Sequence, residues 1–251
     1  MSRTRKLASI YGRIARTYWA WAPSLLALAA IVFLPLGLLD ALSMKLEVDS
    51  FDLDSGIKIA ALLGAIGALT ATSLVGEVFY SGAVAISLTH PEHERPPSML
   101  AIAHQIDYRR LIAVDLVYVA MVLVGLLVFF VPGALAFVWF GLAGPVVEIE
   151  KRGIGGALRR SWSLVRGSFW IVALVLIPIE IVGDAIGEAL ASLVHGALGD
   201  SFLAIWLADT LANVFLTPIF AVAAVLLTLD LIAEKDGTGP QLNPAPAAAS
   251  A

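Results

Sequence analysis

The sequence contains no cysteine, which excludes a disulfide framework, a thiolate metal site and a cysteine nucleophile. Charge is also scarce. Only 14% of the 251 residues are Asp, Glu, Lys or Arg, against about 25% in an ordinary soluble domain. No P-loop, nucleophile elbow or dinucleotide fingerprint is present. The one glycine-rich run, GIGG at 153–156, opens a helical pattern and lacks the preceding strand that such motifs need. No cofactor is therefore expected. A net charge of −4, with the basic residues in clusters that a membrane surface explains, speaks against nucleic acid as a partner.

What fills the sequence instead is apolar surface. Hydrophobic residues make up 59% of the chain, and its mean hydropathy is +0.89. One globular core cannot hide that much, so it must face lipid. Helices of membrane-spanning length nearly consume the chain, which leaves no room for a separate enzyme domain, and no catalytic residue is expected.

The expected fold is all-α: a polytopic membrane bundle of about six transmembrane helices plus two amphipathic interfacial helices. Residues 1–18 set Arg3, Arg5, Lys6, Arg13 and Arg16 between Leu7, Ile10, Tyr11, Ile14 and Tyr18, a spacing that predicts a helix lying on the inner membrane surface. The apolar run at 21–42 is too long for a signal peptide and reads as a retained first span. Within a membrane domain of 19–233, spans are predicted at about 21–43, 57–88, 111–131, 134–149, 169–192 and 203–233, with the second interfacial helix at 154–167 and a disordered tail at 234–251. Pro132 and Gly133 predict a tight outer turn, and Pro145 and Pro218 predict kinks. The fifth helical pattern reaches Leu198, about 45 Å, so its outer part must protrude, bend or lie flat. The loop with Glu47, Asp49, Asp52 and Asp54 is acidic and is placed outside. All 16 Lys and Arg except Lys45 and Lys58 then fall on one side, which predicts that both termini are cytoplasmic.

The most specific stretch is 132–170. It carries PG at 132–133, Pro145, Glu148, Gly153, ALRRSW at 157–162, LVRG at 164–167 and FW at 169–170. A second segment, Pro218 followed by LLTLDLIAEKDG at 226–237, closes the last span. Together these resemble the membrane domain fused to bacterial glycerophosphoryl diester phosphodiesterases and the related stand-alone six-helix YciC-like proteins. The resemblance implies a module of the bacterial plasma membrane. It carries over no catalytic residue, because in fused members the chemistry belongs to a separate TIM barrel that this chain cannot house.

Charges inside spans cost at least about 2.5 kcal/mol and each needs an explanation. Glu148 and Asp230 lie near inner helix ends, where ion pairs with Arg109, Arg110, Arg159 or Arg160 would tie the interfacial helix to the bundle. The surplus Arg159, Arg160 and Arg166, with Trp162, would contact anionic lipid headgroups or a partner protein. In the 154–167 helix, Leu158, Trp162 and Val165 are expected on one apolar stripe with Phe169. On the fifth span Glu180, Asp184 and Glu188 recur every fourth residue, with His195 following and Asp209 as a further ligand candidate; a divalent cation or proton site stands beside the simpler reading, an acidic face meeting water, with Gly183 and Gly187 marking helix packing. His90, His93 and His104 match no strong zinc pattern. Glu77 and Asp115 sit deepest, without a local cation. They are either structural polar contacts or part of a transport pathway.

Overall fold

A computed structural model describes residues 3–47, 76–89, 99–199, 201–237 and 242, and all regular structure among them is α-helical. The helices are α1 (Arg3–Glu47), α2 (Glu77–Thr89), α3 (Met99–Gln105), α4 (Tyr108–Val128), α5 (Phe130–Phe140), α6 (Ala143–Glu150), α7 (Ile154–Arg166), α8 (Phe169–Leu198) and α9 (Phe202–Asp236). Five stretches are long and apolar enough to cross a membrane: Leu7–Leu38, Tyr108–Val128, Phe130–Glu150, Phe169–Leu198 and Phe202–Asp236. The chain is an all-α bundle of membrane type. Most of the predicted span at 57–88 lies outside the described residues, as does the acidic loop predicted before it, except that Glu47 ends α1.

The centre of the bundle is α9, which packs against α1, α8 and α2. From Phe220 to Leu229 its side chains are buried almost without interruption, because a helix surrounded by others needs no polar face. Apolar residues exposed elsewhere face where lipid would be. Phe129 is 71% and Phe130 74% exposed at the tip of the α4–α5 hairpin, a placement that water would not tolerate for so large a patch.

Three predicted boundaries are corrected. The N-terminal segment is no separate surface helix: it runs unbroken into α1, a helix of about 68 Å, with Ile10 and Ile14 buried in the bundle. Its phenols bind inward, and Tyr11 donates at 2.7 Å to the Leu174 carbonyl. Pro178 explains that bond, since it lacks the N–H that would otherwise bond the carbonyl four residues earlier. The turn predicted at Pro132 and Gly133 falls at Phe129, whose extended backbone ends α4; Pro132 sits in the first turn of α5, where its missing donor costs nothing. Between Gly125 and Gly133 the hairpin closes so far that a Cβ on Gly125 would come within 2.7 Å of the Gly133 nitrogen. The break in the fourth predicted span lies at Gly141 and Leu142, between α5 and α6, and Pro145 is accommodated in the first turn of α6.

The predicted interfacial helix is α7, and α9 carries the expected Pro218 but extends to Asp236, into the predicted tail. The remainder of the tail, apart from Gly237 and Leu242, is outside the described residues.

Candidate functional site

Chemistry-bearing side chains gather in two places, one at an end of the bundle and one within it. The end is where α1 starts, α6 and α9 finish, and α7 crosses. Lys151 takes a left-handed backbone conformation (φ 51°) at the C-cap of α6, and Gly153 then caps α7. This tight reversal brings α7 back across the helix ends. Glu148 is buried and accepts from Lys151 Nζ at 2.6 Å and from the backbone N–H of Asp107 at 3.0 Å. Arg160 turns inward and bridges Glu150, at 2.9 Å, and Asp236, so one guanidinium ties α7 to α6 and α9. Burial opposes its charge, but its hydrogen bonds to both carboxylates and their attraction outweigh that and raise its pKa above the usual arginine value.

These pairs correct the expected partners. Asp230 binds Arg13 of α1 at 2.7 Å, a residue expected on the membrane surface. Arg110 pairs within its own first turn with Asp107 at 3.0 Å, and Arg109 is exposed. The buried stripe of α7 is Ala157, Ser161, Leu164 and Val165, anchored by Ser161 Oγ donating to the Trp139 carbonyl at 2.7 Å. Trp162 is therefore not on the inner stripe. It stands outward with Arg159 and Arg166, at positions i, i+3 and i+7 that share one face, and the Arg166 guanidinium lies 5.1 Å from the Trp162 ring centroid.

The second place is built by a helix that begins inside the bundle. Gly76 has φ +98°, a conformation that L side chains avoid, and α2 starts at the next residue, Glu77. The expected uninterrupted span is thus broken here. The first N–H groups of any helix lack intrahelical acceptors. Asp115 on α4 supplies one: its Oδ2 accepts from Gly76 N–H at 2.7 Å, and the amides of Val78 and Phe79 face the same carboxylate. A carboxylate at a helix N-terminus is also favoured by the helix dipole.

Glu77, six per cent exposed, lies beside Glu180 of α8. Asp184 is the next carboxylate along α8 and is exposed, as is Glu188 beyond it. The Tyr118 hydroxyl, one turn after Asp115, is fully buried beside Glu77, Glu180 and Asp115. Among the described residues it has no hydrogen-bond partner, nor do Glu77 Oε2 and Asp115 Oδ1.

Glu77, Asp115 and Glu180 are therefore brought together, whereas Glu188 lies further out and the Asp209 side chain is outside the described residues. Among the described side chains, no three of His, Asp or Glu come together at metal-binding spacing. His104 is exposed on α3; His90 and His93 are outside the description. Gly183 meets nothing within 4 Å, while Gly187 packs towards Ala212, so only one of the two predicted packing glycines serves that purpose. Pattern reading missed Tyr118 and the break at Gly76. The signals were a phenol three residues from an intramembrane Asp and a glycine directly before an intramembrane Glu.

No family model matches the chain, and neither a curated protein nor a solved structure matches it. Its function has to be read from its own residues.

Proposed function

We propose that this chain is a multi-pass protein of the bacterial plasma membrane, with both termini cytoplasmic, that acts without catalysis of its own as a membrane module engaging anionic lipid headgroups through α7. The observation that carries this reading is the outward line of Arg159, Trp162 and Arg166 on a helix crossing the charged end of the bundle. An indole sits well where headgroups meet hydrocarbon, and each basic side chain near an anionic leaflet contributes about 1 kcal/mol of attraction. Internal ion pairs already occupy Arg160, which leaves Arg159 and Arg166 for the headgroups.

The test is native mass spectrometry of protein released from mixed phosphatidylglycerol and phosphatidylcholine nanodiscs. Wild type should retain phosphatidylglycerol preferentially. Arg159→Ala with Arg166→Ala should lose that preference, and it should return at low ionic strength if one arginine is restored. Equal retention by wild type and the double variant would overturn the proposal.

A further inference from the structure

We propose that Glu77 and Glu180 form an intramembrane proton-binding site, reached along the carboxylates of α8 from the end of the bundle opposite α7. The geometry is specific. Two carboxyl groups, one from the start of α2 and one from the middle of α8, lie beside each other, with Glu77 six per cent, Asp115 three per cent and Tyr118 not at all exposed around them. A hydrogen bond between carboxyl oxygens contains one proton, and without it two like charges would touch where water does not screen them. Binding adds one H⁺ to the pair and takes its charge from −2 to −1, with the proton held between two oxygens.

Among the described residues the surroundings supply no alternative neutraliser. The charged and titratable groups facing Glu77 are Glu180 and Asp184 on α8 and Asp115 and Tyr118 on α4, none of them cationic. From the other elements packed on α2, the described charged groups belong to the charged end: Arg13 is paired with Asp230, Glu148 with Lys151, and His104 is exposed; Tyr18 of α1 donates its hydroxyl to the Phe215 carbonyl. Tyr80, on α2 itself, donates its hydroxyl to the Leu25 carbonyl at 2.7 Å. The side chains of Asp40, Lys45, Glu47 and Asp209 lie outside the described residues.

A second observation points to a mobile ligand. Tyr118 OH, Glu77 Oε2 and Asp115 Oδ1 are buried polar atoms without a hydrogen-bond partner among the described residues, and all three belong to this cluster. Buried polar atoms left unpaired cost about 1–3 kcal/mol each. A cost of that kind calls for an explanation, and a bound ligand is one that satisfies all three atoms. Calcium or magnesium would need about six oxygens, and no three described His, Asp or Glu side chains stand at metal-binding spacing, whereas a proton needs two oxygens.

The route is written in α8. Glu180, Asp184 and Glu188 follow one another every fourth residue, about 6 Å apart along the axis. Their exposure rises from partly buried Glu180 to exposed Asp184 and Glu188. Carboxylates at successive turns can relay a proton from water to Glu77, the role that intramembrane acids fill in proton pathways.

The experiment is infrared difference spectroscopy of the full-length protein in lipid nanodiscs, with pH stepped from mildly acidic to alkaline. Wild type should lose one protonated-carboxyl carbonyl band that shifts in D₂O and release one proton per protein from this site. Glu77→Gln should remove that band while keeping the hydrogen bond to Glu180. Asp184→Asn should retain the band and slow its exchange severalfold. Should Glu77→Gln fail to fold, Glu180→Gln reads the same site from the other helix. Spectra of folded Glu77→Gln or Glu180→Gln identical to wild type would overturn the assignment. Loss of the band on adding sodium at constant pH would also overturn it, since the ligand would then be a metal cation.

Discussion

The backbone N–H of Gly76 donates to the Asp115 carboxylate over 2.7 Å, so α4 caps a helix that begins inside the bundle. The cap is worth measuring because the donor is buried. Asp115→Ala leaves that N–H without an acceptor and should cost about 1–3 kcal/mol. Asp115→Asn keeps a carbonyl oxygen in place and should cost less. Thermal unfolding of the purified variants in detergent checks the order, and equal midpoints for Ala and Asn would show that the cap contributes nothing.

Gly144 of α6 sits against α2 so closely that a Cβ there would lie 2.0 Å from the Val78 carbonyl oxygen and 2.7 Å from Ser81 Oγ. Backbone cannot yield as a flexible side chain can. Gly144→Ala must push α2 from α6, at a cost of about 1–3 kcal/mol or more. Gly155 of α7 meets nothing within 4 Å, and Gly155→Ala should stabilise by about 0.5–1 kcal/mol through the lower entropy of the unfolded chain. Monodisperse yield and unfolding midpoint of the two variants should move in opposite directions.

These two contacts also mark how far the sequence could be read. Helical class, membrane character and the position of α7 follow from composition and period, because an apolar helix of about 20 residues has few other homes. The Glu77 and Asp115 sites were visible as charges out of place, since intramembrane carboxylates always need an explanation. Their geometry was not visible. Asp115 caps Gly76 across 39 residues, and Arg13 meets Asp230 across 217, and helical period carries no information about which helices touch. The continuity of α1 was hidden for a related reason. Arginines spaced along an apolar stripe read equally well as an interfacial helix or as a bundle helix whose charges find partners inside.

Adjacent arginines on α7 should behave differently. Arg160 is 15% exposed at its side chain and holds two carboxylates, while Arg159 is exposed. Arg160→Ala removes a cation from between Glu150 and Asp236, and should destabilise the fold by about 1–3 kcal/mol. Arg159→Ala should leave stability within about 0.5 kcal/mol and act only on lipid retention. Chemical denaturation of both variants, paired with the lipid assay, separates the structural arginine from the surface one. Equal destabilisation would remove the distinction.

Orientation can be mapped without background, because the chain has no native cysteine. Gly155 in α7 and Gly196 near the end of α8 each meet nothing within 4 Å, so a cysteine at either position should not disturb packing. The two lie at opposite ends of the bundle, since α8 leaves the α7 end at Phe169 and runs 30 residues to Leu198. Arg13, Arg110, Lys151, Arg160 and Lys235 gather at the α7 end through their ion pairs and caps, and basic residues near span ends are retained in the cytoplasm. A membrane-impermeant maleimide applied to intact cells should therefore label Gly196→Cys directly and Gly155→Cys only after permeabilisation. The reverse pattern would turn the bundle over, place Arg159 and Arg166 on the outer leaflet, and make the α8 carboxylates face the cytoplasm instead.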